Sequence, residues 1–79
     1  MTAEAFILVE AKAEKLKSIV TELRKVEGIK SVNAVTGPYD IIAVVQGPDL
    51  TAVGNLVTSK IRTTTGVIKT VTCLTIELN

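Results

Sequence analysis

Apolar positions along the chain follow two rhythms. Ala5-Phe6-Ile7-Leu8-Val9 is an unbroken apolar run of strand length, rich in β-branched residues, and predicts a strand with both faces withdrawn from water. Over residues 12–26 the rhythm changes. Leu16, Ile19, Val20 and Leu23 recur at helical spacing with Lys15, Lys17, Ser18, Thr21, Glu22 and Lys25 between them, which predicts an amphipathic helix. Arg24 and Lys25 suit the negative end of its dipole, and Gly28 can take the left-handed conformation that closes such a helix. Residues 29–36 mix β-branched side chains with Lys30, Ser31 and Asn33 and read as a more exposed second strand. Gly37-Pro38-Tyr39-Asp40 is a tight-turn signal, so Ile41-Ile42-Ala43-Val44-Val45, apolar throughout, becomes the other arm of a hairpin. After Gly47-Pro48, Asp49 is a good N-cap for a second helix that places Val53, Leu56, Val57 and Ile61 on one face. Gly54 weakens that helix by about 1 kcal/mol relative to Ala, and Thr63-Thr64-Thr65-Gly66 ends it. A last strand is expected over 67–78, with Ile68, Leu74, Ile76 and Leu78 on one side and Val67, Val71 and Cys73 on the other.

Strand, helix, strand, strand, helix, strand is the ferredoxin-like βαββαβ arrangement of the α+β class. It predicts a four-stranded antiparallel sheet with both helices on one face, because right-handed crossovers put them there. No composition shift, repeat or low-complexity stretch divides the chain, so 1–79 reads as one domain. The second sheet face is left bare, and the doubly apolar strands would expose more apolar surface on it than a soluble monomer normally carries. Packing two such faces together covers it, which predicts a homodimer of the dimeric α/β-barrel type.

Composition narrows the picture. A chain of 79 residues buries only about 60–65% of its unfolded surface, so its stability is marginal without help. With one cysteine and no histidine, neither a disulfide nor a structural zinc supplies that help, and association is the remaining route. Cys73 then reads as a small core hydrophobe. A net charge of +1 with evenly spread lysines argues against direct contact with nucleic acid. No leader-like segment and no apolar stretch of spanning length is present, so a cytoplasmic chain without membrane contact is expected. The absence of histidine removes the commonest general base, the catalytic triads and most transition-metal sites. No carboxylate pair stands out, and neither GxGxxG nor GxxxxGK[ST] occurs. An enzyme, a cofactor and a metal are therefore not expected.

One compact polar segment remains, Thr36-Gly37-Pro38-Tyr39-Asp40. It reads either as a proline turn ended by Asp40 or as a ligand corner. In the second reading glycine admits a ligand to the backbone, turn N–H groups hold a carboxylate, and Asp40 holds an ammonium group, a combination suited to a zwitterion.

Val35-Thr36-Gly37-Pro38-Tyr39-Asp40-Ile41 resembles the V-T-G-x-Y/F-D-hydrophobic signature of the Lrp/AsnC effector-binding (RAM) domain. Gly66-Val67-Ile68-Lys69-Thr70-Val71-Thr72 resembles that family's G-V-x-x-T-x-T entry into its last strand. The two motifs stand about thirty residues apart in a matching βαββαβ pattern. The resemblance implies a sheet-to-sheet dimer assembling further into a ring, an octamer or decamer, with an amino acid or similar small effector held near the junction between dimers. It places the ligand corner on Gly37, Pro38, Tyr39 and Asp40, with Thr70 and Thr72 on the nearby strand. Two departures are visible: the chain starts at its first strand where full-length regulators carry a helix-turn-helix, and Arg62-Thr63-Thr64-Thr65 replaces a Leu-Pro type ending. The first suggests a stand-alone RAM protein that modulates full-length Lrp/AsnC regulators by co-assembly. A small dimeric α/β-barrel enzyme of isomerase or monooxygenase type is the alternative; such enzymes use His, Trp or Asn in a cavity, and this sequence supplies almost none of them. An ACT-type amino-acid-binding domain would carry a glycine-rich turn where Glu10-Ala11-Lys12-Ala13 stands.

Overall fold

The computed structural model describes residues 2–78. The chain forms β1 (Ala3–Ala11), a 3₁₀ turn (Ala13–Lys15) that runs into α1 (Leu16–Leu23), then β2 (Ile29–Ala34) and β3 (Ile41–Gly47). It continues with α2 (Leu50–Leu56), which widens into a π-helical turn (Val57–Ile61), and ends in β4 (Val67–Leu74). The four strands form one antiparallel sheet in the order β2-β3-β1-β4, which is the ferredoxin-like arrangement expected from the pattern.

The core lies between the sheet and the helix layer. Ala5, Ile7, Val9, Ile41, Ala43 and Val45 alternate along the two central strands and are fully buried. Ile19 and Leu23 of α1, and Val53, Val57 and Ile61 four residues apart along α2 and its π turn, close over them. Each Val, Ile or Leu side chain among them contributes about 1.5–3 kcal/mol by leaving water. No polar side chain is buried among the described residues.

Local chemistry sets the element ends. Asp49 caps α2 as expected, its Oδ1 accepting from Ala52 N at 2.9 Å. The helix then loosens: Arg62 N donates to Val57 O five residues back, at 2.9 Å. Hydroxyls of Thr58, Thr63 and Thr64 donate to carbonyls one turn earlier, a habit that bends helices. α1 is shorter than the periodicity over 12–26 suggested. Lys12 is extended, with its N–H committed to Gly66 O, and Gly28 reverses the chain after α1 at φ +96°. Arg24, expected to complement the helix dipole, reaches across to β2, where its Nε and Nη2 donate to Val32 O at 3.2 and 2.8 Å.

Both edge strands contain one extra residue. Ile29 pairs with Val45 and Ser31 with Val44, so Lys30 is bulged out of β2. Glu10 pairs with Lys69 and Ala11 with Val67, so Ile68 is bulged out of β4. Each bulge moves the residue before it to the other face. Ile29 thereby joins Val32 on the helix side, and Val67 packs against the core there. This corrects the expected grouping of Val67 with Val71 and Cys73. The expected last strand is also too long, since regular pairing ends at Leu74.

The second face carries two cross-strand apolar rows. One row reads Cys73, Phe6, Val44 and the next Val71, Leu8, Ile42. Polar pairs frame this block, Glu10 with Lys69 at one end and Glu4 with Gln46 at the other. On β2 the rows continue into Ser31 and Asn33. Phe6 is 42% exposed and Cys73 is exposed, so Cys73 belongs to this open face and not to the core of the single chain.

Candidate functional site

The 37–40 turn connects β2 to β3 at the end of the sheet where β1 finishes. Gly37 has φ +135°, a conformation that L side chains rarely adopt, and a Cβ added there would touch nothing within 4 Å. Backbone geometry, and not crowding, is what glycine satisfies at this position. Thr36, Gly37 and Pro38 are exposed, whereas Tyr39 and Asp40 are half-buried.

Asp40 fixes the turn through both backbone and side chain. Its N–H donates to Val9 O at 2.9 Å and its carbonyl accepts from Val35 N at 2.8 Å. Its carboxylate Oδ2 accepts from Ala11 N at 2.8 Å. Val9 and Ile41 form the last pair of the β1–β3 ladder, so the carboxylate carries that line of hydrogen bonds one step beyond the end of the strand pairing. A hydrogen bond to an ionised acceptor is about twice as strong as a neutral one. The turn is therefore an exposed loop tip on a rigid base, and Asp40 is part of the base.

Thr70 and Thr72 lie on β4, opposite Val9 and Ile7 respectively. They share the helix side of the sheet with those buried residues, yet Thr70 is half-buried and Thr72 exposed. The reason is coverage: α1 packs against β2, and α2 against β3 and β1, so the helix layer is centred away from β4. The structure brings Thr70 to the same end of the sheet as Asp40, with β1 between them. Two strand spacings are about 10 Å, so one small ligand cannot touch both within a single chain. Beside Thr70 a shallow cleft is lined by Arg62, Val67, Ile68 and Lys69. The two cations do not stand out as site residues in the sequence, because Arg62 meets the 67–70 segment only through the fold. Among the described residues, no group of three or more His, Cys, Asp or Glu side chains is placed to hold a metal ion.

The family model described as the Lrp/AsnC ligand binding domain matches residues 4–78. The chain belongs to this family. Solved structures similar to this Lrp/AsnC domain include TTHA0845 from Thermus thermophilus, at 27% identity and a TM-score of 0.91, covering 98% of this chain and 96% of that one. FFRP-DM1 is 30% identical with a TM-score of 0.88, over 94% of this chain and 99% of that one. The transcriptional regulator NMB0573 from Neisseria meningitidis, solved as an L-Met complex, shares the fold at 21% identity and a TM-score of 0.86, over 95% of this chain and 50% of that one. A comparison with curated proteins gives no match. No helix of this Lrp/AsnC domain, among the described residues, is long and apolar enough to cross a membrane.

Proposed function

We propose that the chain is an oligomeric sensor of an amino acid or a related small effector, acting in transcriptional regulation or amino acid metabolism without itself contacting DNA or performing catalysis. The observation that carries this reading is the 37–40 turn, an exposed glycine-proline tip pinned to β1 by the Asp40 backbone and carboxylate. A binding corner has to hold its shape before the ligand arrives, and this one does. Family membership and the L-Met complex of a structural relative support the choice of ligand class.

Gly37, Pro38, Tyr39 and Asp40 supply one wall of the site, and Thr70 and Thr72 of another copy supply the second, which accounts for the strand that separates them within one chain. The open sheet faces pair in a homodimer, with the exposed Phe6 as its aromatic anchor. Dimers assemble further into a ring, an octamer or decamer, and the same surfaces admit full-length Lrp/AsnC regulators as partners. In the dimer the exposed Cys73 is covered, as its place in the apolar block requires.

Thermal denaturation of the chain with each of the twenty amino acids at millimolar concentration tests the reading. A ligand present at a hundredfold excess over its Kd adds about 2.7 kcal/mol, which raises Tm by roughly 10 °C or more in a domain of this size. No shift with any of the twenty would end the amino-acid reading. Thr70→Val and Thr72→Val, which remove a hydroxyl while keeping shape, weaken the response at least tenfold if those side chains touch the ligand.

A further inference from the structure

The cleft beside Thr70 lies on an edge of the sheet, since β4 stands last in the order β2-β3-β1-β4 and pairs with β1 alone. Two hydrogen bonds just beyond the paired residues fix which way its backbone points. Thr75 N donates to Glu4 O and Lys12 N to Gly66 O, each at 3.0 Å. Hydrogen-bonded pairs alternate along an antiparallel ladder. Counting inward from Thr75, the bonded positions on β4 are Cys73, Val71 and Lys69, opposite Phe6, Leu8 and Glu10. Thr70 and Thr72 therefore turn their N–H groups outward, away from β1, and an outward N–H at a sheet edge is a ready donor to an anion.

Two exposed cations flank that donor. Arg62 arrives from the helix layer, at the end of the π turn, and Lys69 from β4 itself. Val67, Ile68 and Thr70 complete the lining, and no carboxylate is part of it. Glu10 is the acidic residue opposite Lys69 on β1, and it does not line the cleft. Even with Glu10 set against Lys69, one positive charge is left over. The third arginine-like position, Arg24, is used differently: its guanidinium is spent on Val32 O at the opposite edge of the sheet.

We propose that the effector is an acidic amino acid, whose side-chain carboxylate is held in this cleft by Arg62, Lys69 and the outward Thr70 N–H. The proposal rests on the reading of Thr70 as part of the effector site. A neutral amino acid brings one carboxylate and one ammonium, and the 37–40 turn of another copy suits that pair. A wall of two cations and an N–H offers nothing to an ammonium or an apolar side chain. A second carboxylate uses all three donors: the planar arginine fork takes it through two parallel hydrogen bonds, and the lysine adds a point charge.

Calorimetric titration of the full chain with L-Asp, L-Asn, L-Glu and L-Gln tests it, because each acid differs from its amide by one charge and hardly in shape. At least one acid binds roughly tenfold or more tighter than its amide. Arg62→Gln and Lys69→Gln, both at exposed positions, each bring the two affinities of that pair to within about threefold of one another, in chains whose ligand-free melts are unchanged. Equal binding of acid and amide, or tighter binding of any neutral amino acid, overturns the acidic effector and leaves the amino-acid reading standing. A preference for the acid that survives both substitutions overturns its assignment to this cleft. If none of the twenty amino acids binds, the underlying reading falls, and the proposal with it. Should Arg62→Gln lower the melt, Lys69→Gln decides the question through the same ratio of affinities.

Discussion

Asp40 shows how much one side chain can carry at a strand end. In the sequence it is the last residue of a turn, open to two readings, a turn terminator or a ligand contact. The structure gives the carboxylate a definite structural partner, the Ala11 amide just beyond the last β1–β3 pair. Asp40→Ala therefore removes the acceptor from a partly buried N–H and costs about 1–3 kcal/mol, visible as a fall in Tm of several degrees in the ligand-free chain. Loss of a ligand response in that variant would not separate binding from folding, which is why the threonine substitutions are the cleaner probe. The 2.8 Å contact was not legible from the chain because Asp40 and Ala11 lie 29 residues apart and meet only when the hairpin docks on β1. Gly66 was legible only in part. Its left-handed backbone, φ +100°, follows from its place after the second helix, but the packing of Lys15 over it does not. A Cβ at Gly66 would stand 2.6 Å from Lys15 Cβ, so Gly66→Ala combines strain with a clash and destabilises by about 2 kcal/mol or more, measurable by chemical denaturation.

At the level of elements, hydrophobic period and end signals placed all six elements in the right order. Asp49 and Gly28 marked ends that the structure keeps. The elements' bounds are the weaker part, α1 and β4 being shorter than the periodicity implies, and the assignment of faces fails at single-residue irregularities. Ile29 and Val32 are three apart, an odd spacing that a regular strand would put on opposite faces, and only the bulge at Lys30 gives both to the core. The bulge at Ile68 does the same for Val67. Neither bulge has a glycine to announce it. The widening of α2 into a π turn was equally silent, since Val53, Val57 and Ile61 satisfy an α-helical pattern just as well. α2 carries Gly54 in its interior, where an added Cβ meets nothing within 4 Å and the backbone is helical. Gly54→Ala is expected to stabilise the domain by about 0.5–1 kcal/mol, and equilibrium urea unfolding would register it as a higher midpoint at constant slope.

The molecule as a whole divides its chemistry between two ends of one sheet. The 37–40 turn and the cleft beside Thr70 lie at one end, a groove lined by Leu50 and Ile76 at the other, and the apolar block around Phe6 and Leu8 lies between them. If the effector site is shared between copies, ligand and assembly are linked in both directions. A saturating effector then lowers the concentration at which the oligomer dissociates, by tenfold or more, in a dilution series followed by light scattering; equal dissociation with and without effector would place the whole site within one chain. The off-centre helix layer has a consequence of another kind. Because α1 and α2 lie mainly over β2, β3 and β1, the side chains at 70 and 72 line up with the core residues Val9 and Ile7 without being packed among them. Polar replacements at exposed sites of this sort usually change stability by no more than about 0.5 kcal/mol. Position 72 can therefore exchange one side chain for another almost without penalty to the fold. If Thr72 lines the proposed effector site, a lineage built on this framework is free to alter which small molecule it recognises while leaving the scaffold untouched.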